Sequence, residues 1–167
     1  LGDEVKVSPL NRSVPLEANF KVEPDWSAAS YWLFIVLLAE EAEVYLPGFK
    51  QYSLQGDSVV ANLFAPLGVD AHFIGPGFRL SKSSTSKETL DVNLVQNPDV
   101  AQSFAVAAAV KLKTANIKGL QTLRIKETDR LVALQNELAK IDAKLEIGED
   151  FLRLIRVAKT WETVTFE

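Results

Sequence analysis

One pattern occurs twice in this chain, about 72 to 74 residues apart, and that duplication restricts the available folds more than any other feature. Pro24-Asp25 returns as Pro98-Asp99, Gly48 as Gly119, Asp57 as Asp129 and Asp70-Ala71 as Asp142-Ala143. Phe78-Arg79-Leu80 likewise resembles Leu152-Arg153-Leu154. The period is longer than that of ordinary solenoid repeats, so each copy reads as a small subdomain.

Hydrophobic periodicity supplies the elements. In the first copy Ala18–Glu23 reads as a strand, and a helix follows Pro24-Asp25 to about Glu41. Next come a strand at Glu43–Leu46, a break at Pro47-Gly48 and a second helix at Asp57–Leu67. Val69–Ile74 and Phe78–Lys82 form a hairpin about the turn signal Gly75-Pro76-Gly77. The second copy has strand Leu90–Val95, a helix from Pro98-Asp99 to about Lys113 and strand Ala115–Lys118. A helix from about Thr128 to Ile141 and strands Lys144–Ile147 and Phe151–Val157 complete it. The expected architecture is α/β (α+β), with β-α-β-α-β-β units at 18–83 and 89–157. Trp161–Phe166 reads as the first strand of a third unit beginning within 158–167, so the chain is expected to be cut from something longer, as its start at Leu1 also suggests.

The two helices of each unit differ in kind. Trp32–Leu38 and Phe104–Val110 are apolar nearly all round, which requires neighbours on every side. The second helix of the second copy instead carries Leu131, Leu134, Leu138 and Ile141 on one stripe, with Gln135, Glu137 and Lys140 away from it. The first helices are therefore expected inside, packed on each other, and the second helices outside. Trp26, Tyr31 and Trp32 read as core aromatics, and His72 as a structural residue on a hairpin strand.

Composition excludes several function classes. A net charge of −4 argues against a nucleic-acid partner, which needs a broad basic face. Cysteine is absent, which removes disulfides and thiolate metal sites and fits the cytosol. The single histidine removes histidine triads and multi-histidine metal sites. The longest apolar run, Trp32 to Ala39, is far short of the ~20 residues of a membrane span, and no secretory signal opens the chain. Walker-type and dinucleotide motifs do not occur.

Where two copies differ, function is the natural cause. Ahead of its second helix the first unit has Ser53-Leu54-Gln55-Gly56-Asp57-Ser58; the second has Arg124-Ile125-Lys126-Glu127-Thr128-Asp129-Arg130. Cations at a helix N-terminus oppose the macrodipole unless an anion binds there. Lys126 and Arg130 are thus either a solvated cluster balanced by Glu127 and Asp129 or part of an anion site. Asp25 and Asp99 each follow a proline at a helix start, where capping is the plain reading for both.

The string Leu123-Arg124-Ile125-Lys126-Glu127-Thr128-Asp129-Arg130-Leu131 resembles the signature of the EPSP synthases. Three further stretches agree in order and spacing: Pro24 to Trp32, Ser53 to Asp57, and Asn97-Pro98-Asp99 with its alanine-rich helix. The resemblance implies the enolpyruvyl transferase (RNA 3'-terminal phosphate cyclase-like) fold, six such units in two lobes. Residues 1–23 would then be the end of the first lobe and a hinge near Val22–Asp25. The implied reaction transfers the enolpyruvyl group of phosphoenolpyruvate to the 5-hydroxyl of shikimate 3-phosphate with release of phosphate, on the way to chorismate and aromatic amino acids. By resemblance Asp99 contacts the sugar-ring hydroxyls and accepts the proton, while Glu127 is the acid/base at the methylene carbon. Lys126 binds shikimate 3-phosphate and Arg130 the phosphoenolpyruvate carboxylate. The resemblance implies no metal or organic cofactor, only small-molecule substrates, no nucleic-acid or membrane partner, and a monomeric full-length protein in the cytoplasm. Thr122 departs from the family, standing where some members carry a substrate-binding asparagine, and is left out of the site. The piece alone is expected to be inert. Two other readings stay open: the same fold acting on another hydroxyl acceptor, and a non-catalytic α/β interaction module.

Overall fold

The computed structural model describes residues 6–8, 19, 21–125 and 128–156. They form two mixed units around one continuous hydrophobic core. The first unit comprises α1 (Trp26–Leu38), β1 (Glu43–Pro47), α2 (Val60–Phe64), β2 (Val69–Phe73) and β3 (Gly77–Lys82). The second comprises β4 (Thr89–Asn93), α3 (Ala101–Lys111), β5 (Thr114–Lys118), α4 (Arg130–Ala139), β6 (Ala143–Ile147) and β7 (Phe151–Arg156).

The duplication in the sequence is a duplication of topology. One sheet runs β1-β3-β2 and the other β4-β5-β7-β6, so that β1, β3 and β2 correspond to β5, β7 and β6. All pairs are antiparallel except β4 with β5. The register corrects one expected match. Ala71 pairs with Leu80 and Leu145 with Leu154, so Ala71 corresponds to Leu145 rather than to Ala143. The turn before each of these strands agrees with that shift, because Gly68 and Asp142 both adopt positive φ there, at 110° and 55°. Gly48 and Gly119 are true equivalents, at φ 88° and 78°.

Among the described residues of the expected strand at Ala18–Glu23, none is in a strand. Residues 21–25 lie outside any strand, and Ala18 and Phe20 fall outside the described residues. Pro24 has no N–H for a ladder, and the Glu23 carboxylate is taken up by hydrogen bonds from Trp26 of α1 and from the segment after β1. The expected strand at Trp161–Phe166 also lies outside the described residues.

Helix α1 begins where Asp25, itself extended, accepts a hydrogen bond from Ser27 N at 2.9 Å. It ends at Leu38, three residues earlier than expected, where the Lys82 ammonium donates to the carbonyls of Leu37 and Ala39 and satisfies the last turn. The expected helix over Asp57–Leu67 is broken into a 3-10 turn (Gly56–Val59), α2 and a second 3-10 turn (Ala65–Leu67). Pro66 sits within the second turn and cannot continue the α-helical ladder.

Helix α1 packs on its own sheet and on α3, and α3 packs on the second sheet, so both apolar helices lie between the sheets. Trp26 stacks on Phe78 at 5.1 Å and meets Phe49 edge-on at 4.8 Å; Phe64 of α2 meets Phe104 of α3 at 6.0 Å. Helix α4 buries Leu131, Leu134 and Leu138, with Ile141 just beyond, as its periodicity requires. Enclosure of α1 is incomplete, however. Leu33, Val36 and Leu37 are buried, whereas Tyr31, Trp32, Ile35 and Leu38 are exposed, so neither Tyr31 nor Trp32 is a core aromatic. Among the described residues, no helix is long and apolar enough to cross a membrane.

Candidate active site

The parallel pair β4–β5 sends the segment that leads to Asp99 and the segment that leads to Arg130 out of the same end of the sheet. Parallel neighbours leave the sheet on the same side, so the segments after Asn93 and after Lys118 emerge together. Leu94 N donates to Lys118 O at 2.8 Å, just beyond the pair. Gly119 backs directly onto Val95: a Cβ there would lie 2.4 Å from Val95 N, and its φ of 78° disfavours any side chain besides. Chain-end crevices of this kind are where α/β sheets place ligands.

Asp99 is on the first of these segments, in a 3-10 turn Pro98–Val100 that precedes α3, and it is exposed. The expected cap is displaced. Asn97 holds the N-cap position of the 3-10 turn and Val100 that of α3, and neither supplies a side-chain cap bond. The inserted turn moves the helix start two residues past Asp99. Asp25 does cap its helix, so the two Pro-Asp pairs are alike in sequence and different in role.

The second segment carries the charged string. A 3-10 turn (Gln121–Ile125) follows Gly119, and α4 starts at Arg130, which is half-buried. Asp129 caps α4, one carboxylate oxygen accepting from Leu131 N at 3.1 Å and Val132 N at 3.2 Å. Its other oxygen accepts from Arg124 Nη1 at 2.9 Å. Arg124 also donates from Nε and Nη2 to Gly148 O, at 3.2 and 2.5 Å. Part of the charge cluster is therefore structural, since Arg124 and Asp129 balance one another and tie the string to the β6–β7 turn. Lys126 and Glu127 lie outside the described residues. The hydroxyl of Thr122, in the same 3-10 turn, is buried without a hydrogen-bond partner.

A polar network that sequence reasoning did not assign links the first of these segments to the start of α1 and the residues just before it. Glu23 accepts from Trp26 Nε1 at 3.0 Å, Lys50 N at 2.8 Å and Ser53 Oγ at 2.7 Å. Burial alone would raise its carboxyl pKa, but these bonds and the Lys50 charge outweigh burial and hold it below the usual glutamate value. Gln55 accepts from Trp26 N at 3.0 Å and donates to Pro24 O at 2.9 Å. Asp57 accepts from Ser27 Oγ and from Asn97 Nδ2, the latter at 3.2 Å, and Asn97 Nδ2 also donates to Gly56 O at 2.9 Å. Asn97 is one of only two polar residues in the described core. The Ser-Leu-Gln-Gly-Asp and Asn-Pro-Asp strings were visible as such, but nothing in one sequence pairs residues 40 apart.

A groove between α1, α3 and α4, about 340 Å³ in volume, shares no lining residue with the candidate set. Its wall includes Tyr31, Phe34, Val106 and Leu134. Among the described residues no group of acidic or histidine side chains is placed to hold a metal ion.

Comparison with known proteins bears directly on these segments. The family model described as EPSP synthase (3-phosphoshikimate 1-carboxyvinyltransferase) matches residues 2–166. A 3-phosphoshikimate 1-carboxyvinyltransferase of Bacteroides fragilis is 47% identical over 122 residues, covering 73% of this chain and 30% of the relative. One from Aliivibrio fischeri is 32% identical over 148 residues, covering 89% of this chain and 34% of the relative. The structure of EPSP synthase from Acinetobacter baumannii superposes with a TM-score of 0.57 at 18% identity, over 80% of this chain and 32% of that one, which speaks to the fold. The chain spans about a third of the length of the curated relatives it matches.

Proposed function

We infer the activity from one premise: the chain belongs to the EPSP synthase family. The full-length protein joins the enolpyruvyl group of phosphoenolpyruvate to the 5-hydroxyl of shikimate 3-phosphate and releases phosphate. The observation that carries this reading is the family match over residues 2–166, and the parallel exit of the segments leading to Asp99 and Arg130 from β4 and β5 supports it.

The residue types suit an addition–elimination. Asp99 accepts the proton of the attacking hydroxyl as the new C–O bond forms at C2. Glu127, protonated, delivers a proton to the methylene carbon, giving a tetrahedral adduct. The C–O bond to phosphate then breaks as the proton held by Asp99 passes to the departing phosphate, the Glu127 carboxylate takes a proton back from the methyl group, and the enolpyruvyl double bond is restored. Lys126 holds the phosphate of shikimate 3-phosphate, and Arg130 the carboxylate of phosphoenolpyruvate. Arg130 is the first residue of α4, so an anion bound to it also faces that helix's positive end. The reading carries with it small-molecule substrates, no cofactor, and a monomeric protein of the cytosol with no nucleic-acid or membrane partner. It also makes residues 1–23 the end of a preceding lobe and its hinge, 18–83 and 89–157 successive units, and 158–167 the start of a third. The 167-residue piece alone is inert, because the rest of both binding surfaces belongs to the remaining length of the protein.

The test is phosphate release by the full-length protein given both substrates. Asp99→Asn and Glu127→Gln should each lower kcat by at least about a hundredfold, the usual scale for a general acid or base. Transfer to a sugar nucleotide but not to shikimate 3-phosphate would replace the acceptor. A wild type inactive with either would overturn the reading.

A further inference from the structure

We propose that Asp57 is a positioning residue for enolpyruvyl transfer: through Ser27 and Asn97 it ties the turn that carries Asp99 to the chain entering α1. The inference rests, for its catalytic consequence, on the activity inferred above.

The first observation is a divergence between the repeats. Asp57 and Asp129 are matched by the sequence repeat, and Asp129 caps its own helix with one oxygen. Asp57 does not cap: the N-cap of its 3-10 turn is Gln55, and no side-chain cap bond is made. Instead one of its oxygens is used within the unit, by Ser27 in the first turn of α1, and the other across the seam between the units, by Asn97. The second observation is where Asn97 stands. It is buried, it bridges Gly56 O and Asp57 Oδ1, and Asp99 follows two residues later. The third is continuity. Gln55 binds Pro24 and Trp26, and Glu23 binds Lys50 and Ser53, so residues 23–27 are bonded throughout to the 50–57 segment that holds Asn97. A shift of the chain before α1 thereby moves the Asp99 turn with it. Because rates fall steeply when a reacting group is misplaced by about 1 Å, such a tether is felt in kcat.

The chemistry separates tether from charge. In Asp57→Asn the amide oxygen still accepts from Asn97, and its NH2 donates to the Ser27 hydroxyl, which reverses its own role. Asp57→Ala loses both bonds. In the full-length protein Asp57→Ala should lower kcat at least about tenfold, with KM for phosphoenolpyruvate within about threefold. Asp57→Asn should stay within about threefold of wild type in both. Hydrogen exchange at residues 97–101 should quicken in Asp57→Ala and not in Asp57→Asn. An unchanged kcat in Asp57→Ala, or a loss in Asp57→Asn as deep as in Asp57→Ala, would overturn the proposal. An inactive wild type would instead sink the activity reading, while unchanged exchange at 97–101 would sink the tether, so the two failures are read from different measurements.

Discussion

Among single residues, Glu23 shows how a local charge comes to depend on the fold. Three donors converge on its carboxylate from Trp26, Lys50 and Ser53, and the carboxyl pKa is lowered despite the opposing pull of burial. A carboxyl with a depressed folded pKa stabilises the native state above its unfolded value, about 4.3, and that stabilisation is lost as pH falls through the folded value. Glu23→Gln should therefore unfold at lower denaturant than wild type at pH 7, and the gap should close below about pH 4. Denaturant titrations at both pH values check this; a gap that persists in acid would assign the effect to packing. Residues matched by the repeat need not share work, as Asp57 and Asp129 show. That a carboxylate stands at both positions was legible in the sequence; that Asp129 caps its own helix while Asp57 bonds across a seam was not, because the partners of Asp57 lie 30 and 40 residues away.

Helix boundaries follow from caps, and α4 gives the sharpest case. Asp129 takes up two of the N-terminal amides and holds Arg124, which in turn reaches Gly148. Asp129→Ala should cost about 1–2 kcal/mol, with Asp129→Asn within about 0.5 kcal/mol of wild type because the amide oxygen still caps. Thermal or denaturant unfolding of the chain would show it; equal losses in the two variants would mean the Arg124 pairing, not the cap, dominates. The amphipathic stripe of α4 was readable in advance because a 3.6-residue period survives any packing partner. The fragmentation of the helix after Asp57 had a signal too, Pro66, whose missing N–H ends the regular ladder. The 3-10 turn before α3 had none that distinguished Asp99 from Asp25.

Taken as a whole, the molecule is two copies of one topology sharing a core, and the seam between them holds both the buried alanine face of α3 and the Asp57–Asn97 bonds. The exposed side of α1 marks where that sharing stops. Leu33→Ala, at 0% exposure, should destabilise the chain by about 2–5 kcal/mol, whereas Ile35→Ser, at 52%, should stay within about 0.5 kcal/mol. Comparable losses at the two positions would mean that Ile35 is covered in solution.

The sequence by itself determined the repeat, the α/β class, the family and most of the helices and strands, because each is written in local period, turn chemistry or a contiguous string. Only the tertiary structure decided which face of α1 is buried, which aspartate caps, and which side chains join the Asp99 turn to the start of α1. Those outcomes depend on what residues far apart in the chain, 30 to 41 positions in the Ser27–Asp57 and Asn97 bonds, present to one another. A hydrogen bond across such a distance leaves no period in the chain, since its two halves are ordinary polar residues until the fold brings them within reach.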